Sequence, residues 1–336
     1  MTRLLVVAVL GIVFGLGCAG PNSESQDNPP LPTETQNGAR ACVDDDCSYG
    51  TVESALAAAT DGVVVRILAG VYRDGGVLRA NGVRIEAEGV YLFDRAWQGK
   101  ANLVIQGDDT VILGLRCSHI RVADANGACI RAEGRNLTLR GVHFHDSQTG
   151  LLSGRTAGRI VIEDSTFERL GNRGEEIGNA HGIYIGSIDE FILRRSRVLA
   201  SEGEGHEVKS RAARTVIEDN VIASLSGVDS RQIDLPNGGD IVIRRNVLQK
   251  GPHSSNHQVI GIGMERGRGH GTDHAFNEAI VEDNTVLFDR RGRNVFVSVR
   301  DVPEARTRNN LVINDRAAAG VAAYPFIPPA PLNPLQ

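Results

Sequence analysis

The stretch Asn136-Leu-Thr-Leu-Arg-Gly-Val-His-Phe144 returns six times further along the chain. The copies are Arg159-Ile-Val-Ile-Glu-Asp-Ser-Thr-Phe167, Glu190-Phe-Ile-Leu-Arg-Arg-Ser-Arg-Val198, Arg214-Thr-Val-Ile-Glu-Asp-Asn-Val-Ile222, Asp240-Ile-Val-Ile-Arg-Arg-Asn-Val-Leu248, Ala279-Ile-Val-Glu-Asp-Asn-Thr-Val286 and Ala305-Arg-Thr-Arg-Asn-Asn-Leu-Val-Ile313. Aligned on Val142, Ser165, Ser196, Asn220, Asn246, Asn284 and Asn310, they stand 23, 31, 24, 26, 38 and 26 residues apart. Each copy is a β-branched run, a polar turn and a second short apolar run, which reads as strand, turn, strand. Self-similarity at this period marks a stacked solenoid, its strands about 4.8 Å apart from coil to coil. The leucine spacing of leucine-rich repeats is absent, and a propeller needs a longer period and blade aromatics. The expected fold is therefore all-β, a right-handed parallel β-helix. The Asn or Ser before each second strand has a structural reading: asparagine tolerates left-handed backbone, and stacked amides bond to the coils above and below.

Working outward from the repeat, Thr51 to Ala59 reads as a short capping helix, Asp61-Gly62 as a turn and Val63 to Leu68 as a strand. With Ala69-Gly70-Val71-Tyr72 this order resembles the N-terminal cap of pectate-lyase-like β-helix proteins. Such a cap covers the apolar end of the stack. Residues 41–316 are assigned to the β-helix, and the Pro- and Ala-rich stretch 317–336 to a tail. Ahead of the cap, Arg3 and the apolar run Leu4 to Leu16 have the length of a secretory h-region. Gly15-Leu16-Gly17-Cys18 resembles a bacterial lipobox, which implies lipidation of Cys18 after removal of residues 1–18. Residues 19–40, without apolar periodicity, read as a flexible tether. The expected location is the outer membrane, held through the lipid. Four further cysteines, an even number, fit an oxidising compartment: Cys42 with Cys47 and Cys117 with Cys129 are the expected pairs.

A net charge of −5 excludes a strongly basic nucleic-acid binder. Among 36 basic residues three are lysines, Lys100, Lys209 and Lys250, so each lysine stands out. Two long intervals between copies mark excursions, one around Gly171 to Gly178 and one within Lys250 to Asn277, and solenoid insertions often wall a binding face.

The central coils carry a further strand: His181-Gly-Ile-Tyr-Ile-Gly186, His206-Glu-Val-Lys-Ser210, Gln232-Ile-Asp-Leu-Pro236 and Val259-Ile-Gly-Ile-Gly-Met-Glu265. Alternation puts Ile183, Ile185, Val208, Ile233, Leu235, Ile262 and Met264 inside, and Tyr184, Glu207, Lys209 and Asp234 outside. Tyr184, Lys209 and Asp234 are 25 residues apart at each step, so they are expected to stack as an outward column. Arg211 and Glu207 flank Lys209, while Arg231 and Asn237 border Asp234. A plain surface ion ladder would also give charged outward positions.

Lys209-Ser210, followed by Asn220 and Gly227, resembles the Lys-Ser…Asn…Gly layout of the alginate lyase and chondroitinase B family. The resemblance implies a polysaccharide lyase in which Lys209 is the catalytic base. In that family an Arg-His-Gly one coil later assists; this chain carries Arg231-Gln-Ile-Asp-Leu-Pro-Asn-Gly238 there, so Arg231 stands in for that arginine. β-Elimination on a uronic acid needs its carboxylate neutralised, by Arg211, Arg231 or a bound Ca2+, before the adjacent proton can leave. Lys209 would take that proton, and Tyr184 or His206 would protonate the leaving oxygen. Arg211, His181 and Asn237 are the expected substrate contacts, and Glu207 with Asp234 the expected calcium ligands. The expected partner is an acidic polysaccharide, acted on by a monomer. Two other readings stand beside this one: glycoside hydrolysis with Glu207 and Asp234 as the acid and base pair, and a non-catalytic glycan-binding surface protein. His253 with His257, and His270 with His274, have the spacing of helical zinc ligands, but their Gly- and Arg-rich setting carries no helical pattern.

Overall fold

The computed structural model describes residues 29–35, 40–154, 158–172, 174, 177–275, 278–301 and 305–314. The leader with Cys18, most of the stretch 19–40 and the tail 317–336 lie outside the described residues. Within them the chain winds as a right-handed parallel β-helix. Each coil gives one strand to each of three sheets, as in Arg214–Glu218, Val221–Ala223 and Ile233–Leu235. The sheets hold twelve, ten and nine strands among the described residues, so nine coils are complete.

Successive coils pair in parallel and in register, Leu193 opposite Ile217 and Ile217 opposite Ile243. Register makes the alternation of one coil repeat in the next. The apolar parity therefore lines a continuous interior, in which these three side chains are fully buried. Phe144 and Phe167 meet edge to face inside it, their centroids 5.3 Å apart. The outer parity of the first sheet is an ion ladder: Glu163 bridges Arg140 and Arg194, and Arg244 pairs with Glu218. A guanidinium fork spans adjacent rungs better than an ammonium does, which accounts for the arginine bias.

The open end is closed as the cap sequence predicts. The helix Val52–Ala58 is capped by Thr51, whose hydroxyl accepts the Ser54 N–H at 3.0 Å, and it buries Val52, Ala55 and Leu56 over the first coil. A feature the sequence reading lacks precedes it. Ala41–Val43 and Asp46–Tyr49 form a hairpin, joined by the Cys42–Cys47 disulfide, that pairs antiparallel with Val64–Ile67. The hairpin adds two strands to the end of the first sheet, ahead of the cap. Cys117 and Cys129 form a second disulfide, fully buried. Of the stretch read as a tether, residues 29–35 lie against the stack: Thr35 exchanges hydrogen bonds with Val71, and the Pro29 carbonyl meets His119 Nε2 at 2.9 Å.

The asparagine ladder is formed, with one correction. The left-handed residue of each turn is the one before the asparagine: Asp219, Arg245, Asp283 and Asn309 have φ of 59°, 54°, 55° and 52°. The asparagine itself turns inward, where its amide reaches the next coil. Asn246 Oδ1 accepts from the backbone N–H and the amide of Asn220, both at 3.0 Å, and Asn246 donates to Asn284 Oδ1 at 3.0 Å. Ser196 Oγ serves the same way for the Ser165 N–H at 3.1 Å. Asn246→Ala is therefore expected to cost about 1–3 kcal/mol, because it strands a buried N–H. Asn246→Ser, which keeps an acceptor, should lose less; equal midpoints in urea unfolding would contradict the ladder's role.

Candidate active site on the third sheet

The third sheet carries the predicted column. Tyr184 lies opposite Lys209, and Lys209 opposite Asp234, in parallel register. Ile183, Ile185, Val208, Ile233, Leu235 and Ile262 fill the interior, as alternation requires. Met264 does not: the strand ends at Ile262, the chain turns at Gly263 (φ 75°), and Met264 is half-buried outside the core. The next rung of the column is Gly261, where a Cβ would lie 2.8 Å from Arg231 Cδ, so its absence leaves room for that side chain.

Around the column the polar groups converge. Arg231 donates to Asp234 Oδ1 at 3.0 Å. Asp234 Oδ2 has no formed hydrogen bond, yet Lys209 Nζ stands 3.7 Å from it and His206 Nε2 3.4 Å. Burial raises the Asp234 carboxyl above its ordinary range, against the pull of Lys209 and Arg231. Arg211 Nε donates to the Tyr184 hydroxyl at 2.9 Å, and Arg211 also donates to Asn237 Oδ1 at 2.5 Å. Both Lys209 and Arg211 grip a residue the sequence reading did not single out. Glu265 accepts from Lys209 Nζ at 2.8 Å and from Arg211 at 2.6 Å. Burial alone would raise this carboxyl, but the two cations outweigh it and bring it down to about 2.

Glu265 sits on the second excursion, past the end of its expected strand, which runs over Gln258–Ile262. The remaining strap, Gly263 to Ala275, folds back over the column. The His270 carbonyl accepts from Arg211 and from Asn237, at 2.9 and 2.7 Å. His274 Nε2 meets the Arg211 carbonyl at 2.9 Å, and the Thr272 N–H donates to Ser187 Oγ at 3.1 Å. Beneath the strap Lys209 is 8% exposed and Asn237 1%.

Three expectations need correction. Glu207 does not face the column, although it shares the parity of Lys209. It precedes the strand Val208–Ser210, where the chain is still rounding the corner between sheets, and both its oxygens bond to Ser201, at 2.9 and 2.6 Å. Burial, then the nearby Asp229, pushes its carboxyl up to about 8. Glu207 and Asp234 thus have separate partners and form neither a calcium pair nor an acid and base pair across a groove. Asp234 is flanked by the cations of Arg231 and Lys209, and no three His, Cys, Asp or Glu converge for a metal among the described residues. His181 is not a surface contact either. It is 4% exposed and stacks between Tyr184 and His206, at 5.5 and 5.1 Å, as a floor beneath the tyrosine. His206 faces Asp234 and accepts the Arg231 N–H on Nδ1 at 3.1 Å, so both ring nitrogens already have polar neighbours within the site. Burial holds both imidazoles neutral, well below their ordinary range.

The displaced Glu207 belongs to a buried polar knot. Asp229 accepts from Ser224 and Gln232 at 2.9 and 2.5 Å, and Lys250 Nζ lies 3.9 Å from Asp229 Oδ2 and donates to the Ser230 carbonyl. Burial pushes Lys250 down to about 8, against the pull of Asp229 and Glu207.

No family model matches the chain, and neither does any curated relative. Among solved structures it is similar to the crystal structure of an alginate lyase from Paenibacillus sp. str. FPU-7, at 18% identity and a TM-score of 0.51, over 78% of this chain and 92% of that one. At that identity the likeness establishes a shared fold.

Proposed function

We propose that the column is the active site of a polysaccharide lyase that cleaves an acidic, uronate-containing chain by β-elimination. One observation carries the reading. A cation fork, Lys209 and Arg211, holds a carboxylate while Arg211 also holds the hydroxyl of Tyr184. A uronate carboxylate in that fork has its charge neutralised by Arg211, which acidifies the proton on the neighbouring carbon. Lys209, as the free amine, takes that proton. The electron pair forms the carbon–carbon double bond and expels the glycosidic oxygen, to which Tyr184 delivers its hydroxyl proton. Asp234 and Arg231 fix the lysine from below. His181 and His206 act as positioning residues under Tyr184 and beside Asp234. The fold shared with an alginate lyase supports the substrate class at a coarse level.

Export and anchoring through Cys18 form part of the same proposal, supported by the two disulfides, which suit an oxidising compartment. A monomeric enzyme is part of the same proposal.

The test offers alginate, pectate and glycosaminoglycans to the whole protein. A lyase gives reducing ends together with the ultraviolet absorbance of an unsaturated uronate. Reducing ends without that absorbance point to hydrolysis, and polymer binding without either product points to a glycan-binding protein.

A further inference from the structure

We propose that the Lys209–Arg211 fork is a carboxylate subsite that the chain fills with its own Glu265 when no substrate is present, so that substrate and Glu265 compete for it. The inference deepens the lyase reading and rests on it for the identity of the competing carboxylate. Four observations converge. Glu265 bonds both residues of the fork at once, at 2.8 and 2.6 Å, and so occupies the place where a uronate carboxylate would meet Arg211. The carboxylate is half-buried, so the pair is less screened than an exposed one. With Glu265 in place the fork has little access to solvent: the side chains of Lys209 and Arg211 are 10% and 8% exposed.

The fourth observation is the build of the strap. Gly263, Gly267, Gly269 and Gly271 all have positive φ, from 73° to 81°. At Gly271 a Cβ would lie 3.0 Å from both Arg211 Cδ and Asn237 Oδ1, so a glycine there lets the backbone settle onto the fork. The strap contributes no buried apolar side chain to the core, and beyond the Glu265 carboxylate its hold on the column is polar: hydrogen bonds through the His270 carbonyl, Thr272, Asp273, His274 and the Arg266 guanidinium, and backbone bonds to residues 235–237. A segment held by polar contacts, with no core to give up, separates at a lower free-energy cost once its ion-paired anchor, Glu265, is displaced. Neutralising that anchor raises the fraction of open molecules, and apparent affinity rises in proportion.

The test compares the full chain with its Glu265→Gln variant, using alginate and polygalacturonate as titrants in calorimetry. Trypsin cleavage after the exposed Arg268 serves as a second readout, of strap opening, that needs no turnover. Expected are binding tighter by about tenfold in Glu265→Gln, faster strap cleavage in that variant without ligand, and faster cleavage of the unaltered chain when a polyuronate is added. Equal or weaker binding by Glu265→Gln overturns the inference, and so does failure of both proteins to bind either polymer. If the unaltered chain turns over a polyuronate while Glu265→Gln binds no tighter, the inference falls alone. If nothing is turned over yet Glu265→Gln binds tighter, the subsite stands and the lyase reading falls.

Discussion

Lys209→Ala is expected to lower the rate of unsaturated-product formation by about 10²- to 10⁴-fold, the span a positioned general base contributes. Two features make this substitution a clean probe. The neighbouring groups keep partners without the ammonium, since Arg231 still donates to Asp234 and Arg211 still donates to Glu265. The lysine also lies outside the core, so its loss leaves the coil stack intact. Lys209→Arg separates charge from basicity, because a guanidinium preserves the cation but does not release its proton near neutral pH. The expected outcome is that arginine rescues polymer binding and not turnover. Turnover retained by either variant, with the ultraviolet product intact, would remove Lys209 from the role of base.

The second large effect is on stability. Lys250→Met removes the cation that faces Asp229 and Glu207 within a fully buried cluster. Breaking such a group by deleting one partner costs about 3–5 kcal/mol, since the remaining charge stays buried without compensation. Adding Asp229→Asn and Glu207→Gln to Lys250→Met should recover most of the loss, because neutral groups of the same shape need no counter-charge. The same cluster sets a pH dependence. Glu207 has its folded pKa raised from 4.5 to about 8, so its contribution is complete below about 4.5 and is lost as pH rises toward about 8. Asp229, raised by burial, works in the same direction, while Lys250, brought down to about 8, titrates at the upper edge of that window. Unfolding midpoints of the unaltered chain should decline across this range, and Glu207→Gln should flatten the decline. A steeper decline in Glu207→Gln would show that the carboxyl is ionised in the folded protein.

The repeat was legible because burial selects the same parity in every coil: Leu193, Ile217 and Ile243 repeat it, and the outward spacing of Tyr184, Lys209 and Asp234 follows from that parity alone. Parity fails where the strand ends. Glu207 and Met264 each sit one or two residues beyond a strand, and there the corner geometry decides the direction of the side chain. The left-handed position was misplaced by one residue for a related reason, since the asparagine's amide is needed inside and its predecessor makes the turn. Glu265 carried no local signal at all. Its strap is rich in glycine, without periodicity, and its partners lie 56 and 54 residues upstream. Lys250 stood out as one of three lysines, but its partner Asp229 lies on the neighbouring coil, in a loop whose path composition does not reveal.

In a solenoid each coil touches its immediate neighbours, so order is passed along the stack like a message between adjacent links. The strap breaks that pattern. It leaves after Ile262 and ties back to Asn237, Arg211 and Ser187, on the three preceding coils. Those coils and the one that bears the strap are laced together, and they should lose protection from amide exchange as one block. A polymer that unhooks the strap would hand the block back to nearest-neighbour rules. Ligand binding would then be felt as a local slackening of the rod, at the place where the chain holds its substrate.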